Sequence, residues 1–217
     1  MPVGGDSGHG RLPTGRASSL DVGGVQPGLD GDSGGRPGST NRSSGTGMIA
    51  AVTDDSSHLP ERHLPEPERL GPGDAGELLT LQRAAYVAEA QAHDDPRLPP
   101  LTETLDEVRS ALADPAVVVL GIRDGGRLVA SVRLRAGADG RVALGRLCVA
   151  PDRQGRGLGT TLLRAGESVI GSATAVDLFT GELSTGNLRL YRREGYVETH
   201  RTPAGTHDLV HLTKRLR

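Results

Sequence analysis

One stretch, residues 147–163, constrains the fold more than any other part of the sequence. It reads Leu-Cys-Val-Ala-Pro-Asp-Arg-Gln-Gly-Arg-Gly-Leu-Gly-Thr-Thr-Leu-Leu. The compact apolar run 147–149 predicts a buried strand, and Pro151 ends that strand because proline has no N–H to donate to a sheet. Apolar side chains then recur at helical spacing, at Leu158, Leu162, Ala165 and Val169. The stretch therefore predicts a strand, a loop and an amphipathic helix in succession.

The loop between that strand and that helix is rich in glycine. Glycines occupy every second position, at Gly155, Gly157 and Gly159. Without Cβ atoms, a ligand can approach the backbone closely, and the helix N-terminus offers unpaired N–H groups and a positive dipole end. These features favour phosphate binding. A kinase-type P-loop is excluded because the stretch has no lysine, and a dinucleotide-binding loop is excluded because Thr160 replaces its third glycine.

The remaining pattern is Gln154-x-x-Gly157-x-Gly159 after a strand that ends in Val-x-Pro. It resembles motif A of the GNAT superfamily of N-acetyltransferases, in which the loop N–H groups hold the pyrophosphate of acetyl-CoA. The alternative is a strand–helix connection whose glycines serve packing alone. The resemblance implies that acetyl-CoA contacts one continuous segment, namely Leu147, Cys148, Val149, Gln154, Gly155, Arg156, Gly157, Leu158, Gly159 and Thr160.

A second motif lies further along, where residues 187–196 read Asn-Leu-Arg-Leu-Tyr-Arg-Arg-Glu-Gly-Tyr. This resembles GNAT motif B in a compact form, and the four-residue spacing puts Asn187 and Tyr191 on one helix face. The leaving CoA thiolate needs a proton, and a phenol with a pKa of about 10 can supply it at neutral pH. The resemblance assigns that role to Tyr191 and a CoA contact to Asn187. The alternatives are a core aromatic and a helix N-cap.

The resemblance also implies that the strand 147–149 splays from its neighbour at a bulge. Its backbone would pair with the pantetheine arm, and the N–H of Val149 or a neighbour would polarise the thioester carbonyl. Cys148 raises the alternative of an acetyl-cysteine intermediate. We reject this because a cysteine in a buried strand is usually a small hydrophobe and no histidine adjoins it in sequence.

The general base is where this sequence departs from the superfamily. Many relatives carry a glutamate on the strand before motif A, but residues 141–149 contain no carboxylate and position 143 is Ala143. Either water or another side chain takes the amine proton, or positioning alone suffices. The candidate side chains are Asp177, Glu182, Asp94, Asp95 and His93.

Composition bounds the domains and partners. Residues 1–57 are rich in Gly, Ser and Pro and too poor in apolar residues to fold, so we expect a disordered segment before an acetyltransferase domain over 58–217. Whether residues 1–47 are translated stays open, because Met48 is an alternative start. The net charge of −2 argues against nucleic acid. The sequence has no apolar run long enough to span a membrane. No signal peptide is recognisable, which predicts a cytoplasmic protein. We expect no metal.

Element order predicts the fold. Asp74 and Glu77 form a capping-box pattern before a first helix that runs to about Gln91, and Thr102 is expected to cap a second helix. Strands are expected at 117–122, 128–134, 142–149, 175–180, 196–201 and 209–213. Helices are expected from residue 158 and over 186–194. The order resembles the α/β (α+β) GNAT fold. That fold has a mixed, mostly antiparallel sheet of six to seven strands, about four helices, and a V-shaped splay between the fourth and fifth strands.

The function that follows is transfer of an acetyl group from acetyl-CoA to an amine, by direct attack in a ternary complex. A small-molecule amine is favoured over a protein amine. In the superfamily the first two helices and their connection line the acceptor cleft, and here that connection carries His93, Asp94, Asp95 and Arg97. Two alternatives stay open: a non-catalytic acyl-CoA-binding module and an acyltransferase for longer acyl groups. Relatives are often dimers, so a homodimer is also kept open.

Overall fold

The computed structural model of the chain describes residues 65–205 and 207–216. The expected disordered segment 1–57 lies outside these residues. Seven strands form one sheet in the described part: β1 Glu68–Arg69, β2 Val117–Asp124, β3 Arg127–Ala136, β4 Arg141–Val149, β5 Ala175–Gly181, β6 Val197–Ala204 and β7 His207–Arg215. Five helices accompany it in the same residues: α1 Ala75–His93, α2 Pro99–Thr102, α3 Leu105–Ala113, α4 Leu158–Val169 and α5 Thr185–Arg193.

The sheet is mixed and mostly antiparallel, as the sequence predicts. Its strand order is β1-β2-β3-β4-β5-β7-β6, and only β4 and β5 run parallel. A tight hairpin joins β2 to β3 because Gly125 and Gly126 adopt positive φ angles of 60° and 85°. The parallel pair is possible because α4 carries the chain back across the sheet.

The V-shaped splay between β4 and β5 is confirmed. Residues 141–143 pair with residues 175–177, and the ladder between the two strands ends at the pair Ala143–Asp177. Beyond this point β5 keeps its partner β7 while β4 keeps its partner β3. One edge of β4 therefore opens into the gap over its last six residues.

A bulge in β4 lies within the splayed half of the strand. Ser131 faces Cys148 and Arg133 faces Gly145, so one residue of β3 opposes two of β4. Arg146, at the bulge, has a φ of +49°. Its guanidinium is 2% exposed and contacts the Glu103 carboxylate at 3.3 Å. This buried ion pair holds β4 to the segment between α2 and α3.

The helices α1 and α4 cover opposite faces of the sheet. Leu134 of β3 packs on α4, where a Cβ on Gly166 would lie 3.3 Å from it. Arg133, the preceding residue of β3, points to the other face and binds Glu103 at 2.8 Å beside Gln82 of α1. The buried residues of α4 include Leu158, Leu162 and Leu163 as well as Gly166. The expectation that Val169 shares that face is wrong, because it is 50% exposed.

The capping of both helices differs from the sequence prediction. Asp74 is the N-cap residue of α1, as expected, but it has helical dihedral angles and its side chain makes no cap hydrogen bond to that helix. Its carboxylate instead accepts from Gly71 N–H at 2.8 Å and from Arg123 at 2.7 Å. The second helix is capped by Thr104 rather than Thr102, in a capping box with Glu107. Thr102 is unavailable because the prolines before it start the separate turn α2.

Candidate active site

The site is built where β4 leaves β5. Val149 faces Ala130 across the β3–β4 ladder, and the N–H of Ala150 donates to the carbonyl of Val129 at 2.8 Å. Hydrogen-bonded and non-hydrogen-bonded pairs alternate along an antiparallel ladder. Val149 is therefore at a non-hydrogen-bonded position, and its N–H and C=O point into the splay. Gln154 Nε2 donates to that carbonyl at 3.4 Å.

The loop after β4 delivers a helix N-terminus to the same place. Gly155 and Gly157 have φ angles of +71° and +83°, a region that L side chains rarely adopt. Gly157 is the N-cap of α4, and within the described residues no side chain caps this end. The first intrahelical bond runs from Thr161 N–H to Gly157 C=O at 3.0 Å. The N–H groups of the first turn, from Leu158, Gly159 and Thr160, thus remain available to a ligand.

The two motif B side chains lie together on α5, as their spacing predicts. Asn187 and Tyr191 are each 1% exposed. Asn187 Nδ2 donates to Thr180 Oγ1 at 3.4 Å, while Asn187 Oδ1 is buried without a partner among the described residues. Ser184 occupies the N-cap position, so the capping alternative for Asn187 is wrong. The Tyr191 ring packs edge-on against Tyr196 with 5.8 Å between centroids.

A polar stripe on α1 completes the site, and only its last member, His93, was expected from the sequence. Its members share the buried face of the helix at near-helical spacing: Gln82, Tyr86, Glu89 and His93. The signal was present, because these positions alternate with Leu78 and Ala85 on the face that an amphipathic helix buries. Polar residues at such positions mark a face that packs on polar groups or on a ligand.

Tyr86 links this stripe to both motifs. Its hydroxyl is buried without a partner among the described residues. Burial raises the pKa of Tyr86 well above its usual value, and the nearby Glu89, Cys148 and Tyr191 groups raise it further, whereas Arg146 lowers it. Tyr86 therefore lies near residues of α1, β4 and α5.

Glu89 is a buried carboxylate with one free oxygen. The residue is 5% exposed, and its Oε1 accepts a hydrogen bond from Ser184 Oγ at 2.9 Å. Its Oε2 is buried and has no partner in the described part of the chain. Burial raises the pKa of Glu89 to about 7, against the lowering effect of the Ser184 hydrogen bond. The carboxyl group can therefore exchange a proton near neutral pH.

His93 ends α1 beside the same serine. Its Nε2 lies 3.4 Å from Ser184 Oγ, and its ring lies on that of His207 with 4.1 Å between centroids. The ring fits because Gly181 faces it; a Cβ there would lie 2.2 Å from Nε2. Burial lowers the pKa of His93, and the charge of His207 adds to this effect.

The other general-base candidates from the sequence have local partners or are exposed. Asp177 accepts from Arg141 and from Thr213. Glu182 accepts from the N–H of Asp208 at 3.1 Å and from Arg201 at 3.4 Å. Two more are turn residues after α1: Asp94, which is exposed with a φ of +50°, and Asp95, which accepts from the N–H of Arg97.

Cys148 has the environment of a structural thiol. It is 1% exposed, and its Sγ lies 3.1 Å from Ser131 Oγ. Burial raises the pKa of Cys148 to about 11, so the thiol stays protonated at neutral pH. These findings support the rejection of an acetyl-cysteine intermediate. The described residues contain no cluster of three or more His, Cys, Asp or Glu side chains that could hold a metal ion. The described helices include none that could span a membrane.

Comparison with known proteins identifies the family of the chain. Residues 77–196 match the acetyltransferase (GNAT) family. The chain belongs to this family. Family membership implies acyltransferase activity. A search of curated proteins found no match.

Solved GNAT structures share the fold. PaiA N-acetyltransferase from Thermoplasma acidophilum, in complex with coenzyme A, is 18% identical over 70% of this chain and 98% of its own, with a TM-score of 0.53. The ribosomal-protein-S18-alanine N-acetyltransferase from Escherichia coli is 15% identical over 69% and 92%, with a TM-score of 0.57. A spermidine N-acetyltransferase chimera from Vibrio cholerae and hSSAT is 18% identical over 69% and 93%, with a TM-score of 0.55.

Proposed function

We propose that the protein is an acetyl-CoA-dependent N-acetyltransferase that acts on an amine of a small molecule by direct attack in a ternary complex. One observation carries the proposal, the nearness in sequence of two sets of backbone donors. The N–H of Val149 points into the splay, and α4 begins eight residues later at its N-cap Gly157, where no described side chain caps the helix. A thioester and a pyrophosphate need these two kinds of donor at the two ends of one pantetheine arm.

The coenzyme would lie along the segment that the sequence singled out. Its pantetheine arm would pair with Leu147, Cys148 and Val149 as an added strand. Its pyrophosphate would accept from the backbone between Gln154 and Thr160, where Gly155 and Gly157 keep Cβ atoms away and the exposed Arg156 adds positive charge. The structure of the T. acidophilum protein in complex with coenzyme A supports the choice of coenzyme A as the ligand.

The reaction would use three groups of the chain. The amine nitrogen attacks the thioester carbon, and the N–H of Val149 stabilises the oxyanion that forms. When the C–S bond breaks, the Tyr191 hydroxyl gives its proton to the CoA thiolate. Asn187 Oδ1 would accept from an amide N–H of the pantetheine arm, which would give this buried atom its missing partner.

A small-molecule acceptor is the version of the proposal that we favour. Named relatives act on spermidine and on the alanine of a ribosomal protein, so a protein amine is the alternative acceptor. The site groups on α1 are almost fully buried, which suits a small amine better than a folded protein surface.

The absence of a carboxylate on β4, with Ala143 in its place, is the observation that favours a non-catalytic acyl-CoA-binding module.

The test is release of CoA thiol from acetyl-CoA in the presence of a panel of primary amines. We expect turnover with at least one amine and a fall in kcat of about 100-fold for Tyr191→Phe. Tyr196→Phe is the matched control, because it loses a hydroxyl that binds Glu167 on α4. Acetyl-CoA binding without turnover on any amine would favour the non-catalytic module. A series of acyl-CoA chain lengths separates the acetyltransferase from an enzyme for longer acyl groups.

A further inference from the structure

We propose that Glu89 of α1 receives the ammonium head of the acceptor through its free Oε2 and removes the proton that the nitrogen must lose before it attacks. This inference rests on the proposed function. It names both a catalytic residue and a substrate class, a primary amine that enters the splay as a cation between α1 and α5.

The geometry of the carboxylate is the first support. Ser184 fixes Oε1 from the start of α5, which sets the direction of Oε2. A buried carboxylate oxygen without a donor is costly to the fold. No described residue supplies that donor to Oε2. A ligand N–H would satisfy it.

A second buried acceptor lies on the same helix. Tyr86 precedes Glu89 by one turn of α1. The Tyr86 hydroxyl is, like Glu89 Oε2, buried without a partner among the described residues. An ammonium group has three donors and no acceptor. Two of its donors would suit these two acceptor atoms, and the third N–H bond is the one that faces the thioester once its proton is lost.

The titratable groups near Glu89 come from α1, β4 and α5. On α1 it has Tyr86 and His93 as neighbours, and burial keeps both of them uncharged near neutral pH. From β4, Arg146 lies in the same cluster, and its guanidinium binds Glu103. The thiol of Cys148 and the phenol of Tyr191 complete the titratable groups of the cluster. A substrate ammonium would add a positive charge beside the Glu89 carboxylate.

Glu89 lies beside groups that can take the proton onward. Ser184 Oγ donates to Glu89 Oε1 and lies 3.4 Å from His93 Nε2. When the carboxyl group turns so that its protonated oxygen faces Ser184, the hydroxyl can accept that proton while it passes its own to His93. His93 in turn lies against the half-buried His207.

The proton and electron balance closes. The acceptor R–NH₃⁺ gives one proton to the Glu89 carboxylate, and the freed nitrogen lone pair forms the C–N bond as the carbonyl π pair moves to oxygen. Collapse of this intermediate breaks the C–S bond. The Tyr191 hydroxyl protonates the thiolate and is restored by the second proton from nitrogen. Glu89 releases its proton to solvent. The products are the amide, CoA thiol and one proton.

The experiment compares Glu89→Gln with Glu182→Gln in the full-length protein, with the best amine of the panel. Glu182 is the matched control because it is a nearby carboxylate whose oxygens already bind Asp208 N–H and Arg201. Each variant is titrated with acetyl-CoA, and kcat/KM is measured from pH 5.5 to 9. A second acceptor carries a trifluoromethyl group on the carbon that bears the amine, which lowers the pKa of its ammonium group enough to make the amine mostly neutral at pH 7.

We expect Glu89→Gln to bind acetyl-CoA like the wild type and to lose about 100-fold in kcat/KM with the ordinary amine. The wild-type break near pH 7 should disappear from its profile, and the fluorinated amine should lose less than about 10-fold. Glu182→Gln should keep the wild-type profile. Equal losses with both amines, or an unchanged profile in Glu89→Gln, would overturn the inference.

A second variant keeps the inference testable if Glu89→Gln does not fold. Ser184→Ala removes the hydrogen bond that lowers the pKa of Glu89, so the acidic break of the profile should move to higher pH. A break that stays in place contradicts the inference. Failure of the wild type to bind acetyl-CoA would instead contradict the proposed function, so the two outcomes are distinguishable.

Discussion

Ser184 Oγ donates a hydrogen bond of 2.9 Å to Glu89 Oε1, and this bond joins two residues that are 95 positions apart. Glu89 lies in the second half of α1 and Ser184 is the N-cap of α5. The bond therefore ties the helix with the buried polar stripe to the helix that carries Asn187 and Tyr191. This bond therefore fixes the proposed acceptor-binding residue of α1 relative to the proposed thiolate-protonating residue of α5.

The buried carboxylate of Glu89 should lower the stability of the folded protein at pH 8. Its pKa is about 7 in the folded protein against an ordinary value of 4.5. A carboxyl whose folded pKa is raised contributes stability below pH 4.5, and that contribution is lost as the pH rises through 7. At pH 8, Glu89→Gln should therefore be more stable than the wild type by up to about 3 kcal/mol, at ~1.4 kcal/mol per pKa unit.

Urea unfolding at pH 8, 6 and 4.5 measures this difference. The advantage of Glu89→Gln should shrink as the pH falls and be almost gone at pH 4.5, where the wild-type carboxyl is protonated in the folded state and about half protonated in the unfolded state. A wild type that is more stable than the variant at pH 8 would show that Glu89 is a stabilising ion rather than a buried, destabilised one.

Gly181 should control the position of the His93 ring. A Cβ at residue 181 would lie 2.2 Å from His93 Nε2, so Gly181→Ala must displace the ring from Ser184. Displacement towards solvent removes the burial that lowers the pKa of His93. The pKa should therefore rise towards the ordinary value of about 6.5.

A proton NMR titration of the histidine resonances measures this change. Gly205→Ala is the control, since Gly205 has a φ of +71° and lies in the turn after β6 with open space around it. A His93 titration that Gly181→Ala leaves unmoved would contradict the contact between the two residues.

Glu103 should hold the β4 bulge in place. Its side chain is 8% exposed and binds the guanidinium of Arg133 at 2.8 Å and that of Arg146 at 3.3 Å. Loss of its charge removes a buried counterion of both guanidinium groups, which costs about 3 kcal/mol. Asp106→Asn is the control, because the Asp106 side chain is 90% exposed in its pair with Arg109 and such pairs contribute less than about 1 kcal/mol.

Denaturant unfolding of Glu103→Gln and Asp106→Asn compares the buried and the exposed pair. Glu103→Gln should also weaken acetyl-CoA binding, since the backbone of β4 next to Arg146 is the proposed coenzyme edge. Equal stabilities of the two variants would mean that the buried cluster contributes no more than a surface pair.

The parts of the site that were predictable are those fixed by local geometry. Pro151 ends β4 and Gly157 adopts a positive φ for reasons contained in the adjacent backbone. Asn187 and Tyr191 share a face because four residues make about one turn of a helix. In each case a few neighbouring residues determine the outcome, so the sequence pattern was sufficient.

The parts that were missed depend on contacts between distant residues. The Asp74 side chain does not cap α1, because Arg123 from β2, 49 positions later, takes its carboxylate. Glu89 was not among the expected site residues, and β5 ends in a turn that delivers Ser184 to it. The helical spacing of α1 places Glu89 on the buried face, but no local pattern in α1 reports where β4 and β5 separate.

Equilibrium dialysis of acetyl-CoA against the wild type, Gly157→Ala and Gly171→Ala tests the central claim most directly. Gly157 and Gly171 flank the two ends of α4 with φ angles of +83° and +55°, so both changes impose similar backbone strain. The account predicts that the wild type binds, that Gly157→Ala weakens binding by at least about 10-fold, or ~1.4 kcal/mol, and that Gly171→Ala binds like the wild type. A wild type that retains no acetyl-CoA, or a Gly157→Ala variant that binds as tightly as Gly171→Ala, would contradict it.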